Sequence, residues 1–330
     1  MSSLLPKLVD ACALHSLLQK SIPNLKVLDC TYKVGPAQPY KLFKKEYYGQ
    51  FEKLILEPSW QKAEYLKAHI PGSIHIDLNA AFFPAEFQRF GVYEPDVFEQ
   101  YARLLGINKE DHLVFYGRGP GAMLFPARIF WLFKSYGHTN ASILNGGLGS
   151  WQKEGYELES LEEPLKPQRG NWTAKDCLNT NYITFEELTS HVVEHENTET
   201  VTFDNKLNIL DARVRAQFEG DQPFGVAPNS SHIQGSNILG SKNVPALELL
   251  NEDGTIKSES EILGLIQKSG CNLFGKNTKM VTLCNVGMQA SLLAFAVELV
   301  TDSNVKLYNG SMFELSRRAP HLINGGQSSS

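Results

Sequence analysis

No stretch of this 330-residue chain approaches the roughly 18 consecutive apolar residues that a membrane-spanning helix needs, so no membrane segment is expected. Its five cysteines, Cys12, Cys30, Cys177, Cys271 and Cys284, stand singly, and an odd total without a C-x-x-C pair argues against both a disulfide framework and a zinc site. No large excess of one charge is present either, with 31 Lys and Arg against 36 Asp and Glu. A formal net charge of -5 gives no electrostatic reason for nucleic acid or an anionic membrane to be a partner. The N-terminus, MSSLLPKLVDACALHSLLQK, lacks the long apolar run of a secretory leader and any Arg-rich, acid-free stretch, which makes the cytoplasm the default compartment and a mitochondrial destination less favoured.

What is present is a repeat. The first half runs KVLDCTY (26–32), AHIPGSIHIDL (68–78), HLVFYG (112–117), FPARIFWLFKSYG (125–137) and ASILNGGLGSW (141–151). The second half returns in the same order with NILDARV (208–214), SHIQGSNILG (231–240), MVTLCN (280–285), SLLAFAVELV (291–300) and VKLYNGSMFEL (305–315). Short β-branched runs alternate with amphipathic patterns such as PDVFEQYARLLGI (95–107) and ESEILGLIQKSG (259–270), as parallel β/α units do. A chain of this length holds two domains of roughly 150 residues. The expected division is 1–160, a charged, aperiodic linker at 161–180, and 181–330. The polar stretch VEHENTETVTFDNK (193–206) reads as a surface loop, and the tail GGQSSS (325–330) as disordered.

The cysteine that matters is Cys284. It ends an apolar strand, five residues with one glycine follow, and a helical pattern begins. At such a place backbone N–H groups converge and the helix N-terminus adds partial positive charge, so a thiolate and a bound anion are favoured together. Gly287 allows the loop to curl closely around the sulfur. The alternative is a small apolar residue closing a strand. The first half has Tyr116, Gly117 and then RGPGAM at the matching point, with no cysteine, and so cannot run thiol chemistry there.

The markers HIPGSIHIDL, YARLLGI, SILNGGLGSWQKEG and LDAR, in this order, resemble the rhodanese family in its tandem form, the thiosulfate and 3-mercaptopyruvate sulfurtransferases. The resemblance implies an α/β fold of two similar rhodanese-like domains, each a mainly parallel central sheet flanked by helices, the first catalytically silent. It also implies that Cys284 is a persulfide-forming nucleophile cradled by Asn285, Val286, Gly287, Met288 and Gln289. Sulfur would pass from a small anionic donor to cyanide or to a thiol such as thioredoxin, with no metal or organic cofactor. His69 resembles a histidine that borders the catalytic cleft in mercaptopyruvate enzymes, though a turn-capping histidine fits equally.

The departures from the pattern are concentrated at the site. Thiosulfate enzymes typically carry CRKGVT and mercaptopyruvate enzymes CGSGVT, whereas this chain reads CNVGMQ. Gln217 stands where the family commonly has a donor-binding arginine, and one charge-assisted hydrogen bond in a cleft is worth about 1.5 to 3 kcal/mol. Arg213 either ties strand to loop or contacts donor. Arg215 either replaces the lost contact or is an ordinary exposed arginine. Met312, where tryptophan is usual, alters the cleft wall or fills core. Two readings follow: a sulfurtransferase, or a catalytically degenerate rhodanese-like binding protein. Phosphatase chemistry would want C-x5-R, and the residue six after Cys284 is Ala290.

Overall fold

The structure is a computed structural model that describes all residues except 1–4, 37, 196–199, 205, 224–235, 274–277, 302 and 326–330. His232 of the second repeat marker and nearly all of the GGQSSS tail lie outside the described residues. The chain divides into two units. Unit 1 comprises Met1–Pro84, Gly91–Leu178 and Leu250–Ile256, and unit 2 comprises Ala85–Phe90, Asn179–Leu249 and Lys257–Ser330.

Unit 1 is built on five strands, β1 (Leu8–Val9), β2 (Leu25–Asp29), β3 (Ile74–His75), β4 (His112–Tyr116) and β5 (Ala141–Leu144), all parallel in the order β1-β5-β4-β2-β3. Every residue of β4 is buried, because helices cover a parallel sheet on both faces; hence its unbroken apolar run. The helix Pro95–Leu104 starts on a proline whose missing N–H would have had no helical acceptor, and it buries Phe98, Tyr101 and Ala102 along one stripe. The helix Leu124–Ser135 is buried nearly all round and carries Arg128 inside, its guanidinium 4.5 Å from the Phe82 ring centroid and 4.6 Å from that of Trp131.

Unit 2 holds β6 (Val192–His195), β7 (Thr200–Phe203), β8 (Leu207–Asp211), β9 (Lys242–Asn243), β10 (Lys279–Leu283) and β11 (Val305–Leu307). Four of them form a parallel sheet in the order β11-β10-β8-β9. The two central pairings share one register: Asp29 faces Tyr116 in unit 1, and Asp211 faces Leu283 in unit 2. Gly117 and Cys284 are therefore structural equivalents, each one residue beyond a central strand. The core of unit 2 gathers Ile209, Val281, Leu283, Tyr308, Met312 and Leu315. Met312, 1% exposed, is core filler rather than a wall open to solvent.

Two stretches differ from the sequence reading. The segment 193–206 does not read out as a surface loop: its described ends pair as an antiparallel ribbon, β6 with β7, since alternating Val193, Val201 and Phe203 supply strand-forming residues that the polar composition masks. The expected linker is fixed to unit 1 through Leu178. Gly170 and Trp172 donate their N–H groups to Arg103 and Ile107 carbonyls, and Trp172 is 2% exposed. A Cβ on Gly170 would stand 1.9 Å from the Ile107 carbonyl oxygen, so only glycine fits. The paired NG asparagines act alike. Asn145 Oδ1 accepts from Ile256 N (2.8 Å) within unit 1, and Asn309 Nδ2 donates to Phe90 O (2.8 Å) within unit 2, each holding a segment remote in sequence.

Candidate active site

β10 ends at Leu283, whose carbonyl accepts from Ala212 N (2.8 Å), and the chain then turns through Cys284 into the helix Met288–Val300. The start of the helix Ser311–Arg318 pins that turn. Cys284 N donates to Ser311 Oγ (3.1 Å), while the Cys284 and Asn285 carbonyls accept from Met312 N and Phe313 N (3.0 Å each). Ser311 has φ +52, a region that a β-carbon makes costly by about 1 to 3 kcal/mol, and its equivalent Gly147 has φ +58. The hydroxyl explains its retention: it donates to Tyr308 O (2.8 Å) while accepting the Cys284 N–H. The sequence reading missed Ser311, although aligning NGG of the first half with NGS of the second exposes it.

Gly287 takes φ +87 and caps the 13-residue helix. Its N–H donates to Cys284 Sγ at 3.1 Å, and its carbonyl accepts from Ser291 Oγ (2.8 Å). The first N–H groups of that helix have no intrahelical acceptor, so the sulfur lies beside an electropositive end. Cys284 itself is 1% exposed. Val286 and Met288 are buried and Gln289 is half-buried.

Asn285 and Gln217 meet. Asn285 Nδ2 donates to Gln217 Oε1 (3.0 Å), and Gln217 Nε2 donates to Pro223 O (3.3 Å). Asn285 Oδ1 is buried and has no partner among the described residues. The two arginines are engaged elsewhere. Arg213 is fully buried against Asp211, with Nη2 2.6 Å from Oδ2, and also donates to Ser236 O (2.6 Å). Arg215 forms a two-pronged pair with Glu248 at 2.5 and 2.8 Å on the half-exposed helix Arg215–Glu219. Arg213 thus ties strand to loop, and Arg215 is a surface ion pair.

His69 belongs to unit 1. Its ring is fully buried, stacks on Tyr65, hydrogen-bonds through Nδ1 to the Tyr65 carbonyl (2.7 Å) and places Nε2 3.3 Å from Glu159 Oε2. In unit 2, on the helix Ser311–Arg318, Glu314 is 3% exposed, and burial raises its pKa against the opposing pull of Arg318 and Tyr308. Among the described residues no group of three or more His, Cys, Asp or Glu side chains is placed to hold a metal ion.

A sequence model described as the rhodanese-like domain matches residues 56–154 and again 195–318. The chain belongs to the rhodanese family. It is 39% identical over 328 residues to a Caenorhabditis elegans protein named "Putative thiosulfate sulfurtransferase mpst-1", covering 98% of each chain. It is 29% identical to the thiosulfate sulfurtransferase of Bos taurus, over 81% of this chain and 86% of that one. Its fold is that of the Tum1 protein of Saccharomyces cerevisiae, with a TM-score of 0.75 at 22% identity, covering 98% of this chain and 100% of that one. The Escherichia coli 3-mercaptopyruvate sulfurtransferase SseA superposes with a TM-score of 0.67 at 23% identity, covering 93% and 99%.

Two rhodanese-like domains in one chain allow an internal comparison. At Arg118, the equivalent of Asn285, unit 1 turns a guanidinium onto Asp29 (2.8 Å), Thr31 Oγ1 (2.7 Å) and the Glu64 and Ala68 carbonyls. The loop of unit 1 thus sends its arginine back onto the end of β2, and it has Gly117 where unit 2 has Cys284. Among the described residues no helix is long and apolar enough to cross a membrane.

Proposed function

We propose that the protein is a sulfurtransferase that carries sulfur as a persulfide on Cys284, taking it from 3-mercaptopyruvate or thiosulfate and giving it to a thiol such as thioredoxin or to cyanide. The observation that carries this reading is the Gly287 N–H at 3.1 Å from Cys284 Sγ, at the head of a buried 13-residue helix. A backbone N–H aimed at the sulfur, at a helix N-terminus, sets partial positive charge beside the atom that would act as nucleophile. With thiosulfate, the Cys284 thiolate bonds to the outer sulfur and the S–S bond breaks, its electron pair leaving with sulfite. An acceptor thiolate then attacks the outer sulfur of the persulfide, and Cys284 departs as thiolate, ready for another cycle. Neither step needs an added oxidant or metal. Unit 1 is the catalytically silent domain in this reading, because Gly117 stands where unit 2 has Cys284 and the loop after it has no cysteine. The names of the relatives support the activity, and the cytoplasm is the proposed compartment.

A second reading, a rhodanese-like binding protein without turnover, is favoured by one observation: Cys284 is 1% exposed. Intact-protein mass spectrometry after incubation with each donor separates the two. The first reading expects a gain of one sulfur atom in wild type and none in Cys284→Ala. No gain with either donor would leave Cys284 as a strand-end apolar residue.

A further inference from the structure

The span from Asp29 to His69 in unit 1 is about twice as long as the matching span of unit 2, from Asp211 to His232. The excess forms the helices Tyr40–Glu46 and Phe51–Leu56 and leads into the helix Trp60–Lys67. Unit 2 sets out the corresponding strand order without it, so the fold does not require it. The insertion is nevertheless fixed to unit 1. Phe43, Phe51 and Leu54 are buried, and the Phe51 ring centroid lies 5.2 Å from that of Tyr93 and 5.1 Å from that of Tyr101. We propose that this insertion is a docking surface for a protein partner that presents an apolar side chain flanked by carboxylates. The proposal is independent of the persulfide reading above.

Four of the seven large apolar side chains exposed among the described residues stand here: Val34, Leu42, Leu56 and Trp60. Val34 and Trp60 line one groove of about 250 Å³ together with Tyr32, Lys33, Gln61 and Asn79. A cavity of roughly 150 Å³ holds benzene, so this one takes a single aromatic or branched aliphatic side chain. Part of its lining is polar. Gln61, 4% exposed, donates through Nε2 to the Asp77 carboxylate (3.2 and 3.3 Å); a carboxylate only accepts, so the oxygen of the Gln61 amide is the atom left over, and it accepts from none of the described residues. Asn79 is exposed. These two amides suit the backbone of a docked segment.

Charge says what kind of segment. From residue 33 to residue 62 six lysines stand against three glutamates, in a chain whose formal net charge is -5. Lys33, Lys41, Lys44 and Lys45 are exposed and pair with no carboxylate among the described residues. Lys33 Nζ lies 5.7 Å from the Trp60 ring centroid, which sets a cation beside the groove. Lys62, by contrast, is turned onto the Ile55 and Glu57 carbonyls. Unpaired cations around an apolar recess steer and orient an acidic surface, and the recess supplies the buried contact that charge alone lacks. A bilayer surface fits less well, since it receives side chains that project and brings neither donors nor acceptors to a polar lining.

The test is fluorescence anisotropy of labelled heptapeptides, each with one Phe, Leu, Ile, Met, Trp or Tyr among aspartates and glutamates, titrated with the full chain at low and at high salt. Peptides with alanine at the centre, or with lysine in place of the acids, are the controls. At least one acidic peptide is expected to bind about tenfold or more tightly than its controls, with affinity falling as salt rises. Trp60→Ala and Lys33→Glu, folded by thermal melts, are each expected to weaken that binding by about tenfold, and Lys268→Glu on unit 2 to leave it unchanged. Acidic peptides that bind no better than their controls, or binding unmoved by Trp60→Ala and Lys33→Glu, overturn the proposal. Binding to phosphatidylserine vesicles that these two variants abolish also overturns it and makes the surface a membrane contact. A wild-type dimer that Trp60→Ala dissociates in sedimentation overturns it in favour of a second copy of this chain.

Discussion

At the scale of single residues, the five cysteines differ more in surroundings than in sequence context. Cys12 is exposed, whereas Cys30 and Cys271 are buried. Burial, with Asp29 adding to it, raises the Cys30 pKa well above its ordinary value, and burial pushes that of Cys271 up to about 11. Alkylation at neutral pH followed by peptide mapping is expected to label Cys12 first and Cys284 ahead of Cys30 and Cys271. Labelling of Cys284 as slow as that of Cys30 would speak against a reactive thiolate. Ser311 offers a second residue-scale prediction. Ser311→Ala keeps the unfavourable φ and strands the buried Cys284 N–H, so urea unfolding should show a loss of about 1 to 3 kcal/mol. An unchanged midpoint would deny the hydroxyl its role. Cys284 was legible because strand, loop and helix are local patterns; Ser311 was not, because a positive φ leaves no mark of its own in a sequence.

At the scale of elements, caps and stripes explain which predicted segments held. The helix Glu259–Lys268 opens on a capping box, Ser258 with Glu261, and buries Ile262 and Ile266 one turn apart. The segment 161–178 behaves differently: its charge and prolines read as a tether, yet Trp172 packs among Phe98, Phe133 and His138, with ring centroids at 6.1, 5.5 and 6.0 Å. Trp172→Ala should therefore cost about 3 to 5 kcal/mol in urea unfolding, as loss of a core aromatic does. A cost under about 1 kcal/mol would return the segment to tether status. Nothing in the composition of 161–178 announces this docking, since one tryptophan among charges is decided by the surface it meets.

At the scale of the whole molecule, all four tryptophans, Trp60, Trp131, Trp151 and Trp172, fall in unit 1, so their fluorescence reports that unit. Unit 1 also holds three histidines with lowered pKa values. His112 falls to about 4 through burial and then the neighbouring His138; His138 is lowered by burial, as is His75. A folded pKa below the unfolded value of about 6.5 means that the unfolded chain binds the proton more readily. The stabilisation is therefore complete above pH 6.5 and is lost as pH falls toward 4. The urea midpoint read by tryptophan fluorescence should drop across that window, and a flat profile would show that the three rings do not govern acid stability. By itself the sequence determined the duplication, the α/β class, the strand-end position of Cys284 and the lack of a cysteine in the matching loop of the first half, because periodicity and repeats are properties of a line of residues. Only the tertiary structure decided that Arg213 serves Asp211, that Arg215 serves Glu248, and that Asn285 meets Gln217 across 68 residues. Those meetings depend on how β8 and β10 lie in register and how the chain returns to them, and no local pattern encodes that.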